Sequence, residues 1–98
     1  MAKKQTSSER AVLVTTAHRG VFFGYATDTS GPTIKLARAR NCIYWSADVK
    51  GFLGLAQTGP SASCRIGPAA EDIELRDITC VVAVTPGAVA KWEAAPWR

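Results

Sequence analysis

The sequence predicts a small α+β domain with a mostly antiparallel sheet in the order β-β-β-α-β-β-α, one or both helices covering a face. Short runs rich in β-branched residues are separated by turn residues, and two segments carry helix-capping signals. A chain of 98 residues holds only one hydrophobic core. We expect a single domain over residues 10–93, after a disordered lead over residues 1–9 and before a tail over residues 94–98.

The first two strands are predicted as a hairpin. Residues 10–16 (RAVLVTT) and 21–27 (VFFGYAT) are β-rich, and the short connection between them contains His18 and Arg19. Gly24 inside the second run predicts a bulge or a close approach by another backbone.

The third strand opens at Thr33 after a turn rich in Ser, Gly and Pro. Strict alternation from there would place Arg38 and Arg40 on the apolar face of the strand, which no core accepts. The sequence therefore predicts a bulge, a bend or the end of the sheet near Ala37. Residues 41–45 resume as a strand.

Two helices and two further strands are predicted in the second half. Ser46 or Asp48 is expected to cap a helix that ends at Gly59. A brief strand follows at residues 63–66. Apolar alternation over residues 73–84 slips by one at Arg76 and Asp77, which predicts a bulge in that strand. Thr85 and Pro86 form a helix start, so a second helix is expected over residues 86–93.

Charge is unevenly distributed along the chain. The net charge is +4, with +3 in residues 33–50 and −3 in residues 71–77. Such polarity attracts anionic ligands to one face or pairs subunits head to tail. A solvated surface with nothing bound is the alternative.

The cysteine and histidine content argues against several classes of protein. Three cysteines without a C-x-x-C spacing do not form a disulfide framework, and a lone histidine does not complete a zinc site. No secretory core and no apolar run of about 20 residues is visible. We expect a cytoplasmic protein without metal or cofactor. Because no nucleophile, base or metal motif stands in the chain, we expect no enzymatic activity.

Four residues of the third strand are the main candidates for a ligand site. Arg38 and Arg40, two positions apart and so about 7 Å apart, suit neighbouring phosphates of a nucleotide. Tyr44 and Trp45 alternate across the strand, so one ring is available to stack on a base. The alternatives are arginines that protect a strand edge and a Trp45 that belongs to the core. Arg19 and His18 join as candidates from the hairpin tip, Arg19 by reaching a neighbouring subunit.

Several short motifs resemble the pattern of a family of small phage and prophage proteins of unknown function. They are GVFFG at residues 20–24, AR at 39–40, IYWSA at 43–47, and the helix residues Leu53, Leu55, Ala56 and Gly59. The resemblance covers about residues 11 to 90. Asn41 and Cys42 stand where the family pattern has a second arginine and its neighbour.

Small β-rich phage proteins include oligomeric sponges that sequester nucleotide immune signals of the cyclic ADP-ribose or cyclic dinucleotide type. By this analogy, the resemblance implies a non-enzymatic, homo-oligomeric protein of the host cytoplasm that binds a small anionic nucleotide. A nucleic-acid-binding accessory protein is the second reading, motivated by the basic stretch and by Lys3, Lys4 and Arg10. A virion or assembly component that docks through Trp97 is the third.

Overall fold

The computed structural model describes residues 9–17 and 20–96, and it confirms an α+β fold with a mostly antiparallel sheet. The elements are β1 (Arg10–Thr16), β2 (Val21–Ala26), β3 (Ile34–Tyr44), a 3-10 turn (Ala47–Val49), α1 (Gly51–Thr58), β4 (Arg65–Ile66), β5 (Ala70–Leu75), β6 (Ile78–Ala83) and α2 (Pro86–Ala94). The order of strands in the sheet is β4-β3-β2-β1-β6, and β5 also pairs with β3. The predicted β1–β2 hairpin is confirmed by antiparallel pairing from Arg10↔Ala26 to Thr15↔Val21.

The strand predicted over residues 73–84 is two strands, and it begins earlier, at Ala70. β5 pairs with β3, whereas β6 pairs with β1, although only Arg76 and Asp77 separate them. Asp77 has φ 56°, so the chain turns sharply at the predicted slip. β5 and β6 together form one bent strand, whose first half pairs with β3 and whose second half pairs with β1. The sheet therefore curls, and residues 9–17 and 20–96 form one strand more than predicted.

Curling gives the sheet an inner and an outer core. The inner cluster comprises Val12, Val14, Ala26, Ile34, Leu36, Ala39 and Leu75. The outer cluster lies between the other face of the sheet and both helices, and it comprises Leu13, Val21, Phe23, Cys42, Val49, Leu55, Ala56, Cys64, Ile66, Ala88 and Trp92. Both helices therefore cover one face of the sheet, as expected.

A bulge in β3 separates the arginines from the inner cluster. Arg38 has φ 51°, and the pairing with β2 shifts register between Phe23 and Tyr25. Because of this extra residue, Leu36 and Ala39 both face the inner cluster, whereas Cys42 packs in the outer one. The bulge predicted near Ala37 is confirmed.

The ends of the helices follow the predictions only in part. The Oγ1 atom of Thr85 accepts a hydrogen bond from the Ala88 amide at 3.1 Å, so the predicted cap of α2 is confirmed. α1 ends at Gly59 as predicted, and the φ of 84° at this residue is one that favours glycine. The predicted cap of α1 by Ser46 or Asp48 is wrong, because both residues belong to the preceding 3-10 turn or its start, and the N-cap of α1 is Lys50, without a side-chain capping bond. Lys50, with φ 67°, then separates that turn from α1.

None of the helices formed by residues 9–17 and 20–96 is long and apolar enough to cross a membrane.

Candidate ligand pocket

A cavity of about 550 Å³ opens between the centre of the sheet and the last turn of α2. Its lining residues are Phe23, Tyr25, Arg38, Arg40, Pro68, Ala69, Glu93 and Ala95. Ligand pockets in proteins typically have volumes of about 300–1,000 Å³. The cavity is therefore large enough for a small ring-bearing molecule.

Arg40 forms the buried wall of this pocket. Only 7% of the residue is exposed. Its Nε donates to the Gly67 carbonyl at 2.8 Å, and its Nη1 donates to the carbonyls of Trp92 at 2.8 Å and Ala95 at 2.6 Å. Burial lowers the pKa of this guanidinium. Within the described part of the chain, no carboxylate pairs with Arg40 and its Nη2 donates no hydrogen bond.

The two carbonyls at the end of α2 give Arg40 a structural role as well. The last carbonyls of a helix have no partner within the helix, and they lie at the negative end of its dipole. Arg40 satisfies the carbonyl of Trp92 and the carbonyl just beyond α2. The bulge in β3 thus places a cation where it fixes the end of α2 to the sheet.

Arg38 lies at the mouth of the pocket and is bound differently. Its guanidinium carbon is 4.2 Å from the centre of the Tyr25 ring, in cation–π contact. Its Nη2 donates to Oε1 of Glu9 at 2.8 Å, and its side chain is 56% exposed. This hydrogen bond, which the Glu9 carboxylate accepts, is the main cause that raises the pKa of Arg38. An entering anion therefore meets a guanidinium that already holds a carboxylate.

The aromatic wall comes from β2. The Tyr25 hydroxyl donates a hydrogen bond to Oε2 of Glu93. Burial is the largest cause that raises the pKa of Tyr25 to about 12, and this hydrogen bond is the next largest. The Phe23 ring meets the Tyr25 ring edge-on, with 5.5 Å between the ring centres. It also stacks on the Trp92 ring, with 5.1 Å between the ring centres. The pocket thus combines two guanidiniums from β3, two rings from β2 and one carboxylate from α2.

Only part of the predicted site is brought together. Arg38 and Arg40 line the same cavity, but Tyr44 and Trp45 do not line it. Tyr44 is 52% exposed at the end of β3, and Trp45 packs half-buried against the outer cluster. Four residues of extended chain separate Tyr44 from Arg40 by about 13 Å, which is too far for one small pocket. The candidates His18 and Arg19 lie outside the described residues.

The sequence alone did not identify Phe23, Tyr25 and Glu93 as members of the pocket. Tyr25 on β2 pairs with Ala37 on β3. An antiparallel alignment of these two strands would therefore have placed Tyr25 close to Arg38. Glu93 lines the pocket and Glu9 binds Arg38 at its mouth, and no local pattern marks either carboxylate. Their positions follow from tertiary packing alone.

Other reactive side chains give no second centre in the part of the chain that the structure covers. No group of three or more histidine, cysteine or acidic side chains is placed to hold a metal ion among those residues. Burial is the main cause that raises the pKa of Cys42 to about 12, so its thiol stays protonated at neutral pH.

The fold and the pocket define a class: a small α+β protein with an arginine- and aromatic-lined cavity between its sheet and its last helix. The chain belongs to the family described as Domain of unknown function (DUF6948), whose model matches residues 9–92. No curated protein and no solved structure matches the chain.

Proposed function

We propose that this protein binds a small anionic, ring-bearing ligand of the nucleotide type in the pocket and holds it without chemical change. The buried guanidinium of Arg40 is the observation that carries the proposal. Buried charges in proteins are normally paired, because an unpaired charge in a low-dielectric interior is costly. Arg40 has only carbonyl partners among the described residues, and it lines an open cavity. A phosphate entering that cavity supplies the missing counter-charge.

The rest of the pocket supports a ligand with a ring. Arg38 adds a second guanidinium at the mouth, and a phosphate held by two arginines gains charge-assisted hydrogen bonds. Phe23 is buried and stacked on Trp92, so Tyr25 is the partly exposed ring of the aromatic wall. Stacking on an aromatic face contributes about 1–3 kcal/mol per base. We therefore favour a nucleotide over a simple inorganic anion.

Retention without reaction fits the state of the lining groups. The Tyr25 hydroxyl, with its pKa raised to about 12, is protonated at neutral pH and is a poor nucleophile or base. The resemblance to phage and prophage proteins favours an immune signal of the cyclic ADP-ribose or cyclic dinucleotide type as the natural ligand. Sequestration of such a signal in the host cytoplasm is the biological role we propose.

Calorimetry and native mass spectrometry test the binding. The purified protein is titrated with cyclic ADP-ribose, cyclic dinucleotides and mononucleotides, with the parent nucleosides and ribose phosphate as controls that lack one half of the ligand. We expect binding only when phosphate and base are present together, and recovery of the intact ligand after denaturation. Recovery of an altered product would indicate an enzyme, and no binding across the panel would refute the proposal.

Substitutions at the mouth locate the site. Removing the charge in Arg38→Gln should weaken binding by about tenfold or more, because a charge-assisted hydrogen bond is lost. Glu9→Gln should strengthen binding, since the neutral amide no longer competes with the phosphate for Arg38. Lys35→Gln, on the same strand but outside the pocket, is the matched control and should bind like the wild type. Equal affinities for all three variants would place the ligand elsewhere.

Nucleic-acid binding is the second candidate, and it concerns a different surface. Tyr44 pairs across the strands with Arg65, and both are exposed, so a ring and a cation lie side by side at the β3–β4 edge. Such a pair can stack a base and contact its phosphate. A gel shift at low salt that disappears with Tyr44→Ala would support this candidate, and its absence at low salt would reject it.

A further inference from the structure

The outer edge of β6 is a surface that the ligand pocket does not use. β6 pairs with β1 along one side. Along the other side, the described residues provide no strand and no backbone hydrogen bond. An unpaired strand edge presents a row of free N–H and C=O groups to any strand that approaches.

The hydrogen bonds around β1 show which groups of β6 point outward. The amide of Val84 donates to the Ala11 carbonyl at 3.2 Å, and the amide of Thr16 donates to the Gly20 carbonyl of the hairpin at 3.0 Å. Odd-numbered residues of β1 therefore bond toward β6, and even-numbered ones toward β2. With Leu13 opposite Val82, the backbone groups of Val81 and Ala83 face away from β1.

This edge lacks the features that protect strands from pairing. β6 (ITCVVA) contains no charged residue and no proline, and Cys80, Val81 and Val82 are all half-buried. β5, the other half of the bent strand, carries Glu71, Asp72 and Glu74 instead. Charged side chains discourage edge pairing, so β5 is guarded and β6 is not.

We propose that two copies of this chain pair through β6, antiparallel and two-fold symmetric. Val81 of each copy lies opposite Ala83 of the other, and Val82 lies on the axis. In this register both outward-facing residues of each strand exchange their two hydrogen bonds, which gives four bonds across the interface. Thr79 lies at the register shift of the β1–β6 ladder, and the four hydrogen bonds of the proposed interface do not involve it. A second copy fits this edge, because the outward groups of Val81 and Ala83 lie on either side of Val82 and pair with each other under two-fold symmetry.

Sedimentation and native mass spectrometry test the pairing. We expect the wild type to be a dimer, or a larger assembly with an even number of subunits. Ala83→Lys should dissociate this pair, because a charge then flanks the shared edge. Ala90→Lys makes the same change at an exposed position of α2 and should leave the assembly intact. A monomeric wild type, or an assembly that survives Ala83→Lys, would overturn the proposal.

Cysteine cross-linking tests the register, and it remains informative if Ala83→Lys fails to fold. In a Cys80→Ser background, Val82→Cys should form an intermolecular disulfide on oxidation, since directly opposed Cα atoms about 4.5 Å apart suit one. Val81→Cys faces the other copy's Ala83 and should not cross-link. Failure of Val82→Cys, or cross-linking of Val81→Cys alone, would overturn the register. Ligand binding is not needed in either test, so the outcome is independent of the proposed function.

Discussion

Arg38 and Arg40 are two positions apart on β3, yet their surroundings give them opposite properties. Arg40 is buried and donates to three carbonyls, whereas Arg38 is exposed and holds Glu9. The bulge at Arg38 produces this difference, because it lets the strand turn Arg40 toward the end of α2. Arg40 therefore holds α2 to the sheet and forms the buried wall of the pocket, whereas Arg38 is exposed at the mouth of the pocket.

The stability of charge-removing variants should reveal this division. Arg40→Met leaves the carbonyls of Gly67, Trp92 and Ala95 without a donor, so we expect it to lower the free energy of unfolding by about 2 kcal/mol or more. Arg38→Met removes an exposed ion pair and should change stability little. Urea denaturation followed by circular dichroism measures both. Equal losses for the two variants would contradict the assigned roles.

Tyr25 should couple stability to pH in the alkaline range. Its pKa is raised to about 12 in the folded protein, above the ordinary tyrosine value of 10.0. A raised pKa means that the folded state favours the protonated phenol. The stabilisation is therefore complete below about pH 10 and is lost as the pH rises toward 12. Tyr25→Phe should flatten the alkaline part of the stability curve.

Ultraviolet difference absorbance monitors this titration directly. The phenol of Tyr25 should ionise near pH 12 in the wild type and at a lower pH in Glu93→Gln, which removes a nearby negative charge. Tyr44→Phe removes the other tyrosine signal, so Tyr25 can be assigned without ambiguity. An unchanged titration in Glu93→Gln would mean that the carboxylate does not act on the phenol.

At the scale of elements, α1 depends on tertiary contacts more than on helix propensity. It is only eight residues long, contains two glycines and lacks a side-chain cap. Gly54 faces the turn before the helix, where a Cβ would overlap the carbonyl oxygen of Val49. α2, by contrast, starts at the Thr85 cap, and nothing lies within 4 Å of the Cβ position of Gly87.

Two identical substitutions should therefore have opposite effects. Gly54→Ala should destabilise the protein by about 1–3 kcal/mol, because the clash exceeds the gain in helix propensity. Gly87→Ala should stabilise it by about 0.4–1 kcal/mol, since it meets open space and restricts the unfolded chain. Thermal and urea unfolding of the two variants supply the comparison. A stabilising Gly54→Ala would show that α1 and its preceding turn are packed differently.

At the scale of the whole molecule, Trp92 connects the parts of the outer core. It is fully buried, its Nε1 donates to the Leu55 carbonyl of α1 at 3.1 Å, and its ring stacks on Phe23 of the sheet. Its own carbonyl accepts from Arg40. One residue thus contacts both helices, the sheet and the buried wall of the pocket.

Removal of this side chain should affect the whole fold. We expect Trp92→Ala to cost about 3–5 kcal/mol, a large share of the roughly 5–15 kcal/mol typical of small domains. Trp45→Ala, at a half-buried position, should cost clearly less. Denaturant unfolding gives both values, and equal costs for the two tryptophans would refute the central position of Trp92.

The sequence alone determined the elements whose causes are local. The hairpin of β1 and β2, the bulge that turns Arg38 and Arg40 away from the inner cluster, and the Thr85 cap of α2 each follow from residues within a few positions. Side-chain alternation in strands and side-chain capping of helices depend on neighbouring residues, so the sequence alone predicts these elements.

Tertiary structure decided what lies next to what. It assigned β5 and β6 to different partners on either side of Asp77, and it brought Tyr25 rather than Tyr44 to the arginines. It also carried Glu93, at the far end of the chain, to the Tyr25 hydroxyl. These contacts join residues up to 68 positions apart. The physical reason is that the curl of the sheet and the packing of α2 depend on the whole core, which no short stretch of sequence encodes.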